Sequence, residues 1–511
     1  MTTHDHMTRR TLLSGGAVIP LLPAFWPNGK EQPVISSGRR PKPKAPNIIF
    51  MVSDGMSAGV PMLAEPFSQL VRGTGTHWHA LAKDAATAFG YLQTDSLSSM
   101  VTDSSAASSA WSSGSRVFNG ALNVLPNGMR LTPIGRLAKR AGKALGLVTT
   151  TTVTHATPAG FAAVQPSRDD QDAIALDYLD VVDVALGGGN THFAASLRRD
   201  RRDVYAAYRQ RGYRVCTTRD ELRDARGAQR LLGCFSDGHM PYTIDQLNQA
   251  ARYRHVPTLA EMTAIALETL SAAGEGFLLQ IEGGRVDHAA HANDAAAILW
   301  DQLAFDDAVG VALEFLADHP DTLLVITTDH GNANPGLNGM GARYAESTRC
   351  FERLAPVTGS FDTIHAAMQE IRDGEHMISP AHAAQIVQRY TDITITDEEA
   401  AAIAHVINGG HNTDLHRHHR GIVGALGQTL ANHTGIGWTG TTHTADLALT
   451  LTVGAARERF AGLRHHTDVF TILTSLMGIN HINPSMSADE ARRYVARAPT
   501  EDVQMHYLAA V

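Results

Sequence analysis

Four largely apolar runs dominate the pattern of hydrophobic and polar positions. Asn47-Ile48-Ile49-Phe50-Met51-Val52 ends in Ser53-Asp54-Gly55. Gly146-Leu147-Val148 leads through a threonine run to His155-Ala156-Thr157-Pro158. Phe277-Leu278-Leu279-Gln280-Ile281 ends in Glu282-Gly283-Gly284, and Leu323-Leu324-Val325-Ile326-Thr327-Thr328 in Asp329-His330-Gly331. Strands covered on both faces read as continuous apolar runs, as they do in parallel sheets. Between the last two runs, residues 293–317 place Leu299, Leu303, Val309, Leu313 and Leu316 near helical spacing, which predicts a crossover helix. The pattern predicts an α/β fold with a mainly parallel central sheet flanked by helices. Such sheets bind ligands beyond the carboxyl ends of their strands. Those ends carry Asp54, His155 with Thr157, Glu282, and Asp329 with His330.

These are residue types that hold metals. Asp287 and His291 are four apart and share one face of any helix that begins there. His443 stands far along, in Thr441-Thr442-His443-Thr444. Zinc takes imidazole nitrogen and carboxylate oxygen, whereas magnesium prefers oxygen and keeps several waters. The inventory fits two zinc-like sites and one oxygen-rich site. Ser104 opens a small-residue stretch that favours a helix start, Asp103-Ser104-Ser105-Ala106-Ala107-Ser108. There its hydroxyl would sit beside free backbone N–H groups, a natural phosphate site. Arg168 adds a guanidinium able to grip two phosphate oxygens. Taken singly, each feature has a plain explanation. An Asp-His pair caps a chain turn, and a serine at a helix start is commonly an N-cap. Their conjunction at strand ends points to metal-assisted phosphate chemistry.

Composition narrows the classes. The chain has 511 residues, 43% hydrophobic and 18% charged, with net charge −8, which argues against a disordered chain and against a general nucleic-acid binder. No apolar stretch is long enough for a transmembrane helix in the mature chain. Three cysteines are too few for a disulfide scaffold. Cys216 and Cys234 could still pair in an oxidising compartment, leaving Cys350 free. Arg9-Arg10 before the weakly apolar run Ala17–Trp26 resembles a twin-arginine export signal over residues 1–27, followed by a Pro-rich basic linker over 28–46. A periplasmic or extracellular location is expected.

Several ordered segments then resemble the alkaline phosphatase family. They are residues 101–111, Ser53-Asp54-Gly55-Met56, Ala156-Thr157-Pro158-Ala159, Ile281-Glu282-Gly283, Asp287 with His291, Thr328-Asp329-His330 and Thr442-His443-Thr444. The resemblance implies one catalytic domain over 47–511, although length alone would allow about three. It implies that Ser104 is the nucleophile of a phosphate monoester hydrolase and becomes a phosphoserine, with Arg168 on the phosphoryl group. Asp287, His291 and His443 match the ligands of a first zinc, and Asp54, Asp329 and His330 those of a second. Asp54, Thr157 and Glu282 match a third site, usually magnesium. Small phosphomonoesters are the implied substrates and a homodimer the implied assembly.

Two positions depart from the best-known bacterial member, which has Asp where His155 stands and Lys where His288 stands; animal members have His at both. His155 could ligate the third metal and shift it toward zinc or cobalt. For His288, hydrogen bonding to water or phosphate is the expected role. Residues 332–442 match a crown-like insertion of variable size. Helices are expected there at Ser379–Tyr390 and Asp397–Ile407, and His411–Arg420 reads as a solvated basic loop. A phosphodiesterase or sulfatase of the same superfamily would share the two-metal site. The sulfatase signature is absent, and no nucleophile or ligand is missing, as it would be in a non-catalytic phosphate- or metal-binding protein.

Overall fold

Ten strands form one sheet whose middle four are the apolar runs of the sequence. The computed structural model describes residues 46–341, 344–411 and 414–497. The expected export segment, and the linker apart from Pro46, lie outside the described residues. The strands are β1 (Ile48–Ser53), β2 (Ala88–Gln93), β3 (Ala144–Thr152), β4 (Val184–Gly188), β5 (Arg214–Cys216), β6 (Leu231–Cys234), β7 (Phe277–Gly283) and β8 (Leu323–Thr327). Four short strands follow, β9 (Gly331–Asn332), β10 (Gly336–Leu337), β11 (Ile436–Gly437) and β12 (His443–Thr444), and then β13 (Ala448–Gly454) and β14 (Gly462–His465). The large sheet runs β14-β2-β13-β8-β1-β7-β3-β4-β6-β5. Its pairings are parallel except that β13 lies antiparallel to both β8 and β2.

β1, β3, β7 and β8 are buried along their whole lengths. Alternation along β1 explains why. Ile48, Phe50 and Val52 enter one apolar layer with Leu145, Leu147 and Trp111, while Ile49 and Met51 enter another with Ile265, Leu279 and Phe305. Helices pack over both layers, the arrangement that lets a parallel sheet be apolar on two sides. The predicted crossover helix is Ala295–Asp318, begun by the Asp294 carboxylate, which accepts from the Ala297 N–H at 2.9 Å.

Residues 332–442 contain the helices Glu346–Glu352, Phe361–Glu375, Pro380–Thr391, Asp397–Ile407 and Gly421–Thr434. Ser379 caps the third, with Pro at its first position, and Thr396 with Glu399 forms a capping box on the fourth. Phe361, Ile364, Met368, Val387, Ile403 and Leu426 share an apolar cluster of their own.

Cys216 and Cys234 do not pair, and each is a free thiol, as is Cys350. The register gives the reason. Cys216 of β5 lies opposite Gly233 of β6, so Cys234 is one residue further on and points through the opposite face. Cys216 joins one apolar layer and Cys234 the other.

Candidate active site

Three parallel strands deliver the acids. Asp54 directly follows β1, Glu282 lies within β7 opposite Val52 of β1, and Asp329 with His330 follow β8. Gly55 has φ +65, and a Cβ there would stand 2.4 Å from Asp287 Oδ1, so the turn that follows Asp54 needs glycine. Asp287 and His291 sit on one face of the helix Arg285–His291. His443 arrives by a separate route. β12 pairs antiparallel with β9, placing His443 opposite Asn332 and stacking its ring on His330 at 3.6 Å between centroids.

The structure gathers the expected ligands into three groups, Asp287/His291/His443, Asp54/Asp329/His330 and Asp54/His155/Glu282. In each group the atoms that could bind a metal lie within 4.8 Å of one another. Asp54 belongs to two of them. Thr157 joins the third group through its hydroxyl, which donates to Asp54 Oδ2 at 3.1 Å. His288 stands outside all three.

Hydrogen-bond chemistry tests whether cations fit. His291 Nδ1 lies 2.6 Å from the Thr441 carbonyl and His443 Nδ1 2.9 Å from the Thr102 carbonyl. Carbonyls only accept, so each Nδ1 carries a hydrogen, and a ring with that one hydrogen presents a bare Nε2. Those two Nε2 atoms are 3.0 Å apart, with Asp287 oxygens 3.3 and 3.6 Å away. Two lone pairs and a carboxylate converging in this way suit a cation. In the other groups, Asp54 Oδ1, Asp329 Oδ2 and Glu282 Oε1 are buried without a hydrogen-bond partner. By ligand chemistry, these carboxylate and imidazole sets fit divalent cations.

Electrostatics agree. Burial, then the charges of Asp329, Asp287 and Glu282, push the Asp54 carboxyl well above its usual range. Burial and Asp287 push Asp329 up to about 6. Burial pulls His330 down to about 4 and His443 down to about 3, so both rings are neutral near pH 7. Crowded carboxylates beside neutral imidazoles form a cation site.

Ser104 is the first residue of the fully buried helix Ser104–Ser113, and Asp103 is its N-cap. Asp103 Oδ1 accepts from the Ala106 N–H at 2.8 Å. The capping role therefore falls to the aspartate, and the Ser104 hydroxyl remains available, 3.3 Å from His330 Nε2. Asp103 Oδ2 accepts from Ser105 Oγ at 2.6 Å, the Gly120 N–H at 2.9 Å and Arg168 Nη1 at 3.0 Å. Arg168 Nη2 donates to His155 Nε2 at 3.1 Å. Arg168 is thus held beside the serine by a carboxylate and an imidazole.

Sequence reasoning missed several supporting groups. Asp103 was legible, since an aspartate before a small-residue helix is a favoured N-cap. Asn332 Nδ2 donates to Asp287 Oδ1 at 2.7 Å, and Thr149 donates to Glu282 Oε2. Arg285 Nη1 donates to His288 Nδ1 at 2.8 Å. His239 packs against His155 and His288. None of these four carries a local signal of its contact.

The comparisons with known proteins agree with this geometry. The family model for alkaline phosphatase matches residues 45–479. The chain belongs to the alkaline phosphatase family. Its activity is that of an alkaline phosphatase, a metal-dependent hydrolase of a family that acts on phosphomonoesters. Alkaline phosphatase 4 of Bacillus subtilis (strain 168) is 29% identical over 453 residues, covering 86% of this chain and 91% of that protein. Streptomycin-6-phosphate phosphatase of Streptomyces griseus is 31% identical over 376 residues, 64% of this chain and 81% of that protein. The crystal structure of Thermus thermophilus alkaline phosphatase superposes with a TM-score of 0.83 at 35% identity, covering 89% of this chain and 96% of that one. Among the described residues, no helix is long and apolar enough to cross a membrane.

Proposed function

We propose that the chain hydrolyses small phosphate monoesters by way of a covalent phosphoserine on Ser104. The observation that carries this reading is the freed Ser104 hydroxyl, uncommitted to capping and set 3.3 Å from His330 Nε2 at a helix start. Asp287, His291 and His443 would hold one zinc, and Asp54, Asp329 and His330 a second. Asp54, Thr157 and Glu282 would hold a magnesium, and the His155 imidazole draws that third position toward zinc or cobalt. The bound ions supply Lewis-acid stabilisation of the attacking and leaving oxygens.

The chain's own residues do the rest. Arg168 grips two phosphoryl oxygens with its fork, and the N–H groups opening the Ser104 helix face the same charge. Ser104 Oγ gives its proton to solvent and bonds to phosphorus, the bond from phosphorus to the alcohol oxygen breaks, and the alcohol leaves with a proton taken from solvent. Water then attacks phosphorus from the opposite side to the serine, losing a proton to solvent, the bond to Oγ breaks, Oγ regains a proton, and phosphate leaves. Two in-line displacements retain configuration at phosphorus. Asp103 keeps Arg168 oriented throughout.

Export by the twin-arginine route, to the periplasm or beyond, belongs to the same reading and rests on Arg9-Arg10 before an apolar run. A homodimer rests on the family resemblance. The test uses full-length protein supplied with zinc and magnesium. It should turn over a chromogenic phosphate monoester far faster than the matching diester. Acid quenching with labelled substrate should leave phosphate on Ser104. Ser104→Ala should keep its metals and lose activity by on the order of a thousandfold or more. Label on Ser105 or on a histidine would overturn the assignment.

A further inference from the structure

Behind the site, one buried arginine links the insertion to the machinery. Arg285 and His288 are almost wholly buried on the same short helix, three residues apart. Arg285 Nη1 lies 2.8 Å from His288 Nδ1. A guanidinium has only donors, so Nδ1 must be the acceptor, and the hydrogen of a neutral His288 ring sits on Nε2. Arg285 is itself clamped. Its Nη2 donates to Asp362 Oδ2 at 3.0 Å, its guanidinium carbon stands 3.6 Å from the centre of the Tyr242 ring, and its backbone N–H donates to Thr150 Oγ1 at 3.1 Å.

Asp362 comes from the first turn of the insertion helix Phe361–Glu375. That turn is anchored to the catalytic body. The Phe361 N–H donates to Asp294 Oδ2 at 2.6 Å, and the Ser360 hydroxyl and N–H both donate to Asp245, at 2.6 and 2.9 Å. On the other side, the His288 ring packs edge-on to His239 and His155, with centroids 4.4 and 5.7 Å away. His155 Nε2 in turn accepts from Arg168. A continuous chain of contacts therefore runs from the insertion to the arginine beside Ser104.

We propose that Arg285, clamped by Asp362 from the insertion, is a positioning residue of this active site: it fixes the tautomer and tilt of His288 and, through the wall of three imidazoles, the attitude of Arg168. The insertion thereby contributes to phosphate binding without touching substrate. This inference rests on the proposed role of Arg168 in gripping the phosphoryl group.

The experiment pairs Asp362→Asn, which keeps shape and loosens the clamp, with Arg285→Lys, which keeps charge and loses the fork. Each metal-loaded variant is compared with wild type for kcat, KM, inhibition by inorganic phosphate, metal content and thermal stability. Histidine-labelled protein gives the 15N signal of His288 Nδ1. The expected result is an unprotonated Nδ1 in wild type. Both variants should show KM and the phosphate inhibition constant rising together by roughly tenfold, the low end for outer partners of a site imidazole, with metal content unchanged. Unchanged KM and phosphate inhibition in both variants would overturn the proposal. So would a protonated Nδ1 in wild type, or a fall in kcat that only follows lost folded protein. If wild type itself turned over no monoester, the functional reading would fail, while the Nδ1 signal and phosphate binding would still report on the clamp.

Discussion

Asp103→Ala separates the two tasks the structure gives this carboxylate, capping the nucleophile helix and holding Arg168. Losing the cap costs about 1 kcal/mol. The Gly120 N–H, 2.9 Å from Asp103 Oδ2, is left without its acceptor in a buried place, at about 1–3 kcal/mol. Global stability should therefore fall by about 3 kcal/mol, read by urea denaturation of the metal-loaded enzyme. The loss should depend on pH in a stated direction. Burial acts against the charged Asp103, yet Arg168, Ser105 and the Ala106 and Gly120 N–H groups outweigh it and hold the carboxyl below its usual range. A depressed folded pKa contributes stability that is present above the unfolded value, near 4 by the reference scale, and lost as pH falls through the folded value. The gap between wild type and variant should be full at neutral pH and narrow below about pH 4. Function should respond separately. Released from Asp103, Arg168 must be ordered on each binding event. About 1.4 kcal/mol of lost preorganisation raises KM and the phosphate inhibition constant roughly tenfold. kcat should not fall in step, because weaker product binding favours phosphate release. A variant with wild-type stability and wild-type phosphate inhibition would refute the account of Asp103.

The metal sites and the third position give further tests. Exhaustive chelation should abolish turnover, and zinc with magnesium should restore it; full activity in metal-free protein would contradict the cation reading of all three groups. His443→Ala removes one of the two facing imidazoles, so the first group should lose metal on dialysis, with affinity falling by more than the roughly ten- to a hundredfold that loss of an outer partner costs. It should also slow dephosphorylation more than phosphorylation, seen as phosphoserine accumulating in the steady state. His155→Asp exchanges imidazole for carboxylate beside Glu282, and activity should become more dependent on added magnesium. Identical half-saturating magnesium and identical plateaux in wild type and variant would show that His155 does not tune that position.

The parts of this protein that the sequence makes legible share one physical property: their signal and their environment are local to each other. β8, β1, β7 and β3 are adjacent in the sheet and covered on both faces, so each reads as a largely apolar run. β2 alternates between buried and exposed positions, and β5 and β6 are only three and four residues long, too brief to separate from loop. The antiparallel turn of β13 leaves no mark in composition at all. Asp287 and His291 are legible because a helix converts a spacing of four into a shared face. Four parallel neighbours also end on one edge of the sheet, so whatever polar residues follow them must fall close together. That is why Asp54, Glu282, Asp329 and His330 can be grouped from the sequence alone. His443 has no such guarantee. Its two-residue strand carries no periodicity, and its place depends on pairing with β9 across 110 intervening residues, which only the folded insertion makes short. The family resemblance supplied His443, where physical pattern could not. The same distance hid Arg285 and Asp362, whose meaning lies in a contact between helices 70 residues apart. What a chain's periodicity can reveal is therefore the scaffold and the acids it presents. Asn332, which holds Asp287, and Arg285, which holds His288, become visible only when the hydrogen bonds are counted.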